Sequence, residues 1–325
     1  MQSLRDRFNR RFSYLRLSVT EVCNFRCEYC LPNGYRGRTR GFLEIDEIRR
    51  LVTAFGQLGT RKVRLTGGEP SVRRDFVSIV GAVRAVPGIE RLAMTTNAYR
   101  LARDAEALKA AGMDAINISL DGLEAEQFQR ITGDRRFDKV MRGIDRALEL
   151  GFDRVKINTV LLRGLNDSAL QQFFEFVRTR RVSVRFIELM RTGDNQAYFE
   201  QRHVGGSVVR DALVQGGWRP QARGATDGPA VEYAHPEHAG RIGIIAPYSP
   251  GFCDSCNRLR VTARGALRLC LFGNGTTDLR PLLARDDQLE ELKAHIMLSL
   301  FDKAAAHQLH SGNFGDTAHL ASTGG

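Results

Sequence analysis

The sequence predicts an α/β protein in which parallel strands alternate with helices. Six short β-branched runs alternate with amphipathic stretches, and polar or reactive residues follow most of the runs. Consecutive β/α units require parallel strands joined by right-handed crossovers. The pattern is compatible with an open doubly wound sheet and with a complete or partial barrel. In all of these folds, the chemistry lies at the carboxyl ends of the strands.

The individual elements follow from hydrophobic spacing. The predicted strands are Leu15–Thr20, Val63–Thr66, Leu92–Thr95, Ala115–Leu120, Val155–Val160 and Val182–Glu188. Apolar residues recur at spacings of three and four between them, which predicts helices over Ile45–Gln57, Phe76–Val86, Ala102–Ala111, Phe137–Leu150 and Ala169–Arg180. A glycine follows several of these stretches, as is typical of helix ends.

The alternation stops after about Gly193, which predicts a C-terminal region of different construction. Loops and short strands are expected over Gln215–Gly240, a strand over Arg241–Tyr248 and one helix over Asp287–Leu309. We predict a division into residues 1–215 and 216–325.

Composition excludes several classes of protein. The chain has 325 residues, 42% of them hydrophobic, and a formal net charge of +11. These values exclude a disordered, collagen-like or membrane-bundle protein. The start has no apolar core typical of a signal peptide, so we expect a cytoplasmic protein. Only six of the 48 basic residues are Lys, and Arg favours an anionic partner, either a nucleic acid or a polyphosphate. A general Arg bias would produce the same count.

Six cysteines form two triplets. Cys23, Cys27 and Cys30 have the spacing C-x3-C-x2-C, and Cys253, Cys256 and Cys270 have the spacing C-x2-C-x13-C. A chain of this length in a reducing compartment favours metal or cluster ligation over three disulfides. Three thiolates on a four-iron cluster leave one iron open. Zinc remains an alternative at both triplets, with His235 or His238 as a fourth ligand of the second.

Two further features point to ligand binding. Gly67 and Gly68 allow a backbone to approach a ligand closely, and Glu69 can accept a hydrogen bond from an ammonium group. An ordinary turn would also explain them. Lys156 lies inside a predicted parallel strand, where the barrel interior is favoured over solvent. A buried ammonium needs an anion, and a phosphate would serve.

The first triplet, with an aromatic residue before its last Cys and a position after the first strand, resembles the radical S-adenosylmethionine (SAM) superfamily. Within it, the chain resembles the GTP 3′,8-cyclase family of molybdenum cofactor biosynthesis over nearly its whole length. The motifs that carry this resemblance are LRLSVT, CNFRCEYC, RLTGGEP, MTTN, NISLD, VKINTV, FIELM, GFC-x2-CNRLR and a terminal Gly-Gly.

The resemblance implies a partial (β/α)6 radical SAM barrel over 1–215. A C-terminal region over 216–325 is expected to carry a second iron–sulfur cluster and to close the barrel mouth. The implied cofactors are two [4Fe–4S] clusters and SAM, with GTP between the clusters. The implied reaction uses a 5′-deoxyadenosyl radical to remove the ribose 3′ hydrogen of GTP, after which C3′ adds to guanine C8. The product is (8S)-3′,8-cyclo-7,8-dihydroguanosine 5′-triphosphate.

Residue roles follow only where this sequence matches the family motifs. Cys23, Cys27 and Cys30 match the SAM-cluster ligands, and Cys253, Cys256 and Cys270 match the ligands of the second cluster. The SAM contacts are matched by Tyr29, Gly68, Ser119 and Met190. The GTP contacts are matched by Arg16, Arg64, Thr95, Lys156, Arg258 and Arg260. Arg16, Gly324 and Gly325 match the groups expected to act after hydrogen abstraction.

This sequence departs from the family pattern in one loop and in the C-terminal tail. Arg191 follows Met190 where the family usually has proline, and Thr317–Thr323 lacks the Arg and Met that commonly precede the terminal glycines. The resemblance also implies a homodimer, an electron donor that the sequence does not identify, and a downstream pterin synthase as partner, with no membrane or nucleic acid. The competing interpretations are a peptide-modifying radical SAM enzyme and a basic zinc protein that binds nucleic acid.

Overall fold

Six parallel strands follow one another across the sheet in their order along the chain. A computed structural model describes residues 3–224 and 227–323. The strands are β1 (Tyr14–Ser18), β2 (Lys62–Thr66), β3 (Arg91–Thr96), β4 (Ala115–Ser119), β5 (Arg154–Leu161) and β6 (Ser183–Glu188). Each pairs in parallel with the next. This sequential order is that of barrel-type folds, whereas a doubly wound sheet reverses its order at a switch point.

Helices connect these strands and cover the outer face of the sheet. They are α1 (Ile45–Gln57), α2 (Phe76–Arg84), α3 (Leu101–Ala110), α4 (Ala125–Thr132), α5 (Phe137–Glu149) and α6 (Leu170–Thr179). All except α4 are predicted from apolar spacing, and the predicted ends differ by no more than two residues. The prediction misses α4 because its eight residues are too few to establish a period.

Strands of the C-terminal region extend the sheet at both edges. They are β7 (Arg219–Pro220), β8 (Val231–Ala234), β9 (Arg241–Ile245), β10 (Arg258–Val261), β11 (Ala266–Arg268) and β12 (Thr277–Asp278). β9 pairs in parallel with β6, and β10 pairs in parallel with β1. The C-terminal region therefore flanks the six-stranded unit on both sides. The boundary at 215/216 stays a prediction, although α8 (Ser207–Gln215), which follows α7 (Gln196–Arg202), ends there.

Two predicted C-terminal elements are longer than those observed. The helix predicted over Asp287–Leu309 is α9 (Leu289–Ser299), followed by a 3₁₀ turn. Beyond the helix, the Lys303 ammonium donates to the carbonyl of Leu269. The strand predicted over Arg241–Tyr248 ends at Ile245, shortly before Pro247, which has no backbone N–H to donate.

Side-chain alternation along the strands separates the core from the site. On β1, Leu15 and Leu17 are fully buried in the apolar core, while Tyr14 and Arg16 lie on the opposite face. β4, β5 and β6 likewise contribute Asn117, Lys156 and Arg185 to the interior. Among the described residues, no helix is long and apolar enough to cross a bilayer.

Candidate active site

A central cavity lies on the interior face of the strands, and the second cysteine triplet is part of its lining. Its wall carries eight cationic side chains, which are Arg16, Lys62, Arg64, Lys156, Arg185, Arg258, Arg260 and Lys303. No Asp or Glu of residues 3–224 and 227–323 is among the lining side chains. Three of the six lysines of the chain line this cavity. A buried, strongly positive cavity favours a polyanionic ligand.

Strand register explains why the cations converge. Arg16 of β1 lies directly opposite Arg64 of β2 and Arg260 of β10. Two residues earlier on the same strands, Tyr14 lies opposite Lys62 and Arg258. Alternate residues of three adjacent strands therefore form two cationic rows.

Tyr14 is a buried phenol within these rows. Its hydroxyl accepts a hydrogen bond from the Arg64 Nε, and the Lys62 ammonium lies 4.6 Å from its ring centroid. Burial by itself would raise the pKa of Tyr14, but the charges of Arg64, Arg16 and Lys62 lower it to about 6. The cavity therefore contains one hydroxyl that can carry negative charge near neutral pH.

Lys156 lies on the cavity wall, as the sequence predicts, and has a protein anion beside it. Its Nζ is 3.6 Å from Oε1 of Glu232, which also accepts hydrogen bonds from Arg185. Burial, followed by the Arg185 charge, lowers the pKa of Lys156 to about 7 despite Glu232. Lys156 is thus only partly protonated at neutral pH, and an added phosphate would favour its charged form.

The lower triplet, defined here as Cys253, Cys256 and Cys270, lies at one end of this cavity. Burial would raise the pKa of Cys256, but the nearby Arg258 and Lys303 charges hold it below its usual value. The backbone amide of Arg258 also donates toward this sulfur. Three free thiols in cationic surroundings fit an iron–sulfur cluster, whose thiolate ligands are commonly stabilised in this way.

The upper triplet, defined here as Cys23, Cys27 and Cys30, follows β1 on a loop at the other end of the barrel. Burial raises the pKa of Cys23 to about 11 and that of Cys30 to about 12. The backbone amides of Leu320 and Ala321 oppose the rise at Cys30 by donating toward its sulfur. All six cysteines are free, and amide donors at the sulfurs fit cluster ligation at this triplet as well.

The GGE turn after β2 packs directly on the start of the upper loop. The Gly68 amide donates to the carbonyl of Thr20, and the Glu69 amide donates to that of Val22. A Cβ atom at Gly68 would lie 2.5 Å from the carbonyl oxygens of Glu21 and Val22. Glycine is therefore required here for contact between two backbones, which the sequence alone does not reveal.

Glu69 has structural contacts that the sequence does not reveal, and its bond to an ammonium group stays a prediction. Its fully buried carboxylate accepts hydrogen bonds from the Ser71 amide at 3.0 Å, the Thr96 hydroxyl at 2.8 Å and the Asn97 amide at 2.6 Å. These donors all belong to the protein, so Glu69 joins the ends of β2 and β3. Burial raises the pKa of this carboxyl.

The matched SAM-contact residues lie around the upper part of the barrel. The Tyr29 hydroxyl donates to Asp121 at 2.8 Å, and burial raises the pKa of Asp121 to about 6. Ser119 ends β4, and Met190 follows β6 and lines the central cavity. Their SAM contacts stay predictions. The Arg191 amide donates to the Tyr248 hydroxyl at 3.2 Å, a bond that proline at this position could not make.

The remaining predicted groups differ in how the structure places them. Thr95 stands behind Arg64, and its hydroxyl accepts from Nη1 of that residue at 3.3 Å. Thr95 is not among the described cavity-lining residues, and its GTP contact stays a prediction. Gly324 and Gly325 lie outside the described residues.

Histidines suggested as zinc ligands lie elsewhere. His235 and His238 contact each other at 3.0 Å and pack on Trp218. Within the described chain, no three His, Cys, Asp or Glu side chains form a group that could hold a single metal ion. The histidine near the lower triplet is His307, which the sequence did not single out.

Sequence reasoning also missed Tyr14, Lys62, Arg185 and Lys303 in the cavity. Tyr14 and Lys62 precede the predicted Arg16 and Arg64 by two residues, so the strand period of two could have identified them. Arg185 and Lys303 give no comparable signal, because they reach the cavity from other parts of the chain.

Comparison with known proteins agrees with the fold and the paired triplets. The family model of the Radical SAM superfamily matches residues 17–177, and that described as Molybdenum Cofactor Synthesis C matches residues 182–309. In fold, the chain is similar to the crystal structure of Streptococcus suis SuiB bound to S-adenosylmethionine. The TM-score is 0.61 at 15% identity, covering 88% of this chain and 69% of that one. Fold and site thus define a radical SAM protein.

Curated relatives identify the family within that class. The chain is 53% identical to a GTP 3′,8-cyclase of Klebsiella pneumoniae strain 342 over 325 residues, 99% of each chain. It is 54% identical to a GTP 3′,8-cyclase of Stenotrophomonas maltophilia strain R551-3 over 327 residues, the full length of both. The chain belongs to the GTP 3′,8-cyclase family.

Proposed function

We propose that this chain is the GTP 3′,8-cyclase that performs the first step of molybdenum cofactor biosynthesis. One observation carries the proposal: a single cationic cavity has a free cysteine triplet in its lining, and a second free triplet follows β1 at the opposite end of the parallel strands. The negative charge of a nucleoside triphosphate complements the positive charge of that cavity. The full-length relatives named for this activity support the same conclusion.

Each triplet would hold one [4Fe–4S] cluster, and the upper one would also bind SAM. The chemistry supplied by a reduced cluster with SAM is removal of a hydrogen atom from an unactivated C–H bond. The upper loop is held for this task by its backbone bonds to Gly68 and Glu69, and Tyr29 is fixed by Asp121. We propose Tyr29, Gly68, Ser119 and Met190 as the SAM contacts.

The cationic rows would bind and orient GTP. We propose the following residues as GTP contacts: Arg16, Arg64, Thr95, Lys156, Arg258 and Arg260. Arg64 is held in place by the Met94 carbonyl at 2.9 Å and by Tyr14, which leaves its guanidinium preorganised. Arg258 and Arg260 lie on β10, which directly follows Cys256 of the lower triplet in the chain. They would orient the base and phosphates of GTP relative to the lower end of the cavity. Formation of a 7,8-dihydro product requires one electron and one proton at guanine; the electron would come from the separate electron donor, and Tyr14 is a cavity hydroxyl that could exchange the proton.

Several finer expectations belong to this proposal. A homodimer, a downstream pterin synthase that takes the product onward and a separate electron donor are expected for this family. Cytoplasmic location is proposed because clusters bound by free thiols need a reducing compartment.

Anaerobic assay of two cysteine variants tests the proposal. The reconstituted protein should contain about eight iron atoms per chain, from two four-iron clusters. Cys27→Ala should abolish SAM cleavage, because two thiolates cannot hold the SAM cluster. Cys256→Ala should retain SAM cleavage with dithionite as reductant and form no cyclised GTP. Normal cyclisation by the Cys256 variant would contradict the proposed division between the two ends.

A further inference from the structure

A strongly basic depression lies on the outer surface beside the upper triplet. We call it the basic patch and define it by its polar and aromatic lining, which is Tyr99, Arg100, Arg103, Arg136, Lys139 and Arg142. Its residues come from the start of α3 and from α5 with the turn before it. None of them lines the central cavity, so the proposed substrate does not account for this concentration of charge.

Two of the five cations of the basic patch are exposed without an ion pair among the described residues. Arg136 pairs with Asp134, and both Arg100 and Arg103 share Asp104. Lys139 and Arg142 are exposed and have no ion pair within the part of the chain that the structure describes. Among the described residues, the lining of the basic patch thus carries five cations and no carboxylate, and Asp104 and Asp134 beside it pair with three of the cations.

The basic patch is in direct contact with the loop of the upper triplet. Nη2 of Arg136 lies 3.5 Å from the carbonyl oxygen of Asn24, and its guanidinium lies 5.3 Å from the ring of Phe25. Asn97, which precedes Tyr99 of the basic patch by two residues, donates from its side-chain Nδ2 to Oδ1 of Asn24 at 3.0 Å. Asn24 and Phe25 immediately follow Cys23, so a protein bound at the basic patch would lie close to the upper cluster ligands.

We propose that the basic patch is the docking surface for an acidic electron-carrier protein that reduces the upper cluster. The inference rests on the proposed function, since only a reductively activated site at Cys23 needs an electron there. One electron leaves the reduced carrier and enters the cluster, so the carrier is oxidised and the cluster reduced, and no bond is formed. Charge complementarity would speed the encounter and make it sensitive to salt.

Binding of a flavodoxin, a small acidic flavin protein, tests this assignment directly. The dissociation constant of oxidised flavodoxin is measured for the reconstituted wild type, Lys139→Glu, Arg142→Glu and the double variant at low and high ionic strength. We expect the double variant to bind at least about tenfold more weakly at low salt, with each single variant intermediate. The difference should shrink at high salt.

Reduction kinetics provide the second arm. In stopped flow, the reduced flavodoxin should bleach the cluster absorbance more slowly in the double variant, while SAM cleavage driven by dithionite, which needs no docking, stays at the wild-type rate. Arg219→Glu is the matched control, because Arg219 is exposed on β7, outside both the basic patch and the cavity lining. It should leave flavodoxin binding unchanged.

The possible results separate the two proposals. Unchanged flavodoxin binding and reduction in the double variant would overturn the docking surface and leave the proposed function intact. Loss of dithionite-driven cleavage in the variants would also overturn it, by showing a structural role. Tighter binding of a mixed-sequence oligonucleotide than of flavodoxin would assign the surface to nucleic acid instead. Failure of the wild type to cleave SAM with dithionite would contradict the proposed function itself.

Discussion

Burial makes the charged form of Lys156 unfavourable in the free protein, and a bound phosphate would stabilise that form. The side chain is 10% exposed and lies near Arg185, so its ammonium is disfavoured in the nucleotide-free protein. Glu232 offsets only part of that cost. A phosphate at the same place would favour the protonated form, and its binding would therefore be coupled to proton uptake.

We expect GTP affinity to fall as pH rises above about 7. The protonated fraction of Lys156 decreases over that range because the pKa is about 7, so each binding event must take up more of a proton. The dissociation constant should rise by up to about tenfold per pH unit until another group limits it. Calorimetric titration of GTP between pH 6.5 and 8.5 measures this slope.

Lys156→Gln serves as the comparison for that titration. At pH 6.5 it should weaken GTP binding by about 1.5–3 kcal/mol, the value of a charge-assisted contact, and its pH slope should be flatter. SAM affinity should be the same in both proteins. A variant that keeps the wild-type slope would assign the coupled proton to another group, of which Tyr14 is the nearest in pKa.

At the scale of elements, the site depends on two loops packed backbone to backbone. The turn after β2 supplies amides to the carbonyls of Thr20 and Val22, and Glu69 ties that turn to the end of β3. The upper loop is held on its other side by α4, since the Arg26 amide donates to the carbonyl of Thr132 at 3.0 Å. Three connections of the barrel thus position one set of thiols.

Gly68→Ala should disturb this packing before any ligand binds. The added Cβ would meet two carbonyl oxygens at 2.5 Å, so one loop must move. We expect a loss of about 1–3 kcal/mol in the free energy of unfolding of the metal-free protein, with reduced iron at the upper triplet after reconstitution. Urea unfolding of the metal-free protein measures the loss of stability. Iron content after reconstitution in a Cys256→Ala background, which lacks a ligand of the lower cluster, measures the loss at the upper triplet.

Gly81→Ala is the matched control for the same substitution. Gly81 lies within α2, and an added Cβ would have no heavy atom within 4 Å. Alanine should raise the free energy of unfolding by about 0.5–1 kcal/mol, because it favours helix. Equal effects of the two substitutions would show that the close approach at Gly68 is not important.

At the scale of the whole molecule, the C-terminal segment returns to the upper end of the barrel. The Gly193 amide donates to the carbonyl of Thr317, and the Asp194 amide donates to that of Ala318, both at 3.0 Å. The amides of Leu320 and Ala321 donate toward Cys30, and Thr323 is 2% exposed. The chain is therefore held in the interior immediately before its two terminal glycines.

Removal of Gly324 and Gly325 should abolish the cyclised product and leave both clusters, SAM binding and reductive SAM cleavage largely intact. The family resemblance assigns these glycines, with Arg16, a role after hydrogen abstraction. Anaerobic chromatography of product and 5′-deoxyadenosine separates the two steps. A longer truncation that also removes Leu320 and Ala321 should in addition lower SAM cleavage, because Cys30 loses its amide donors. Normal product from the two-residue truncation would refute the role of the tail.

Local patterns were sufficient to predict the order and type of the barrel elements. Strand and helix periods are set by neighbouring residues, so the six parallel strands and five of the helices were predicted within two residues. The two cysteine triplets were also predicted as cluster sites from their spacing, and cluster ligation at these residues stays a prediction. The family was predicted from motifs spread over the chain and is confirmed by relatives at 53–54% identity.

Tertiary structure decided everything that depends on residues distant in sequence. Parallel pairing of β10 with β1 brings Arg258 and Arg260 beside Arg16, and no local pattern specifies that pairing. Glu69 accepts hydrogen bonds from three other residues of the protein, and the carboxylate of Glu232 lies beside Lys156. Burial, charge and hydrogen-bond partners arise only when separate elements meet, which is why the sequence could determine the fold and the ligand types but not the balance of charge inside the cavity.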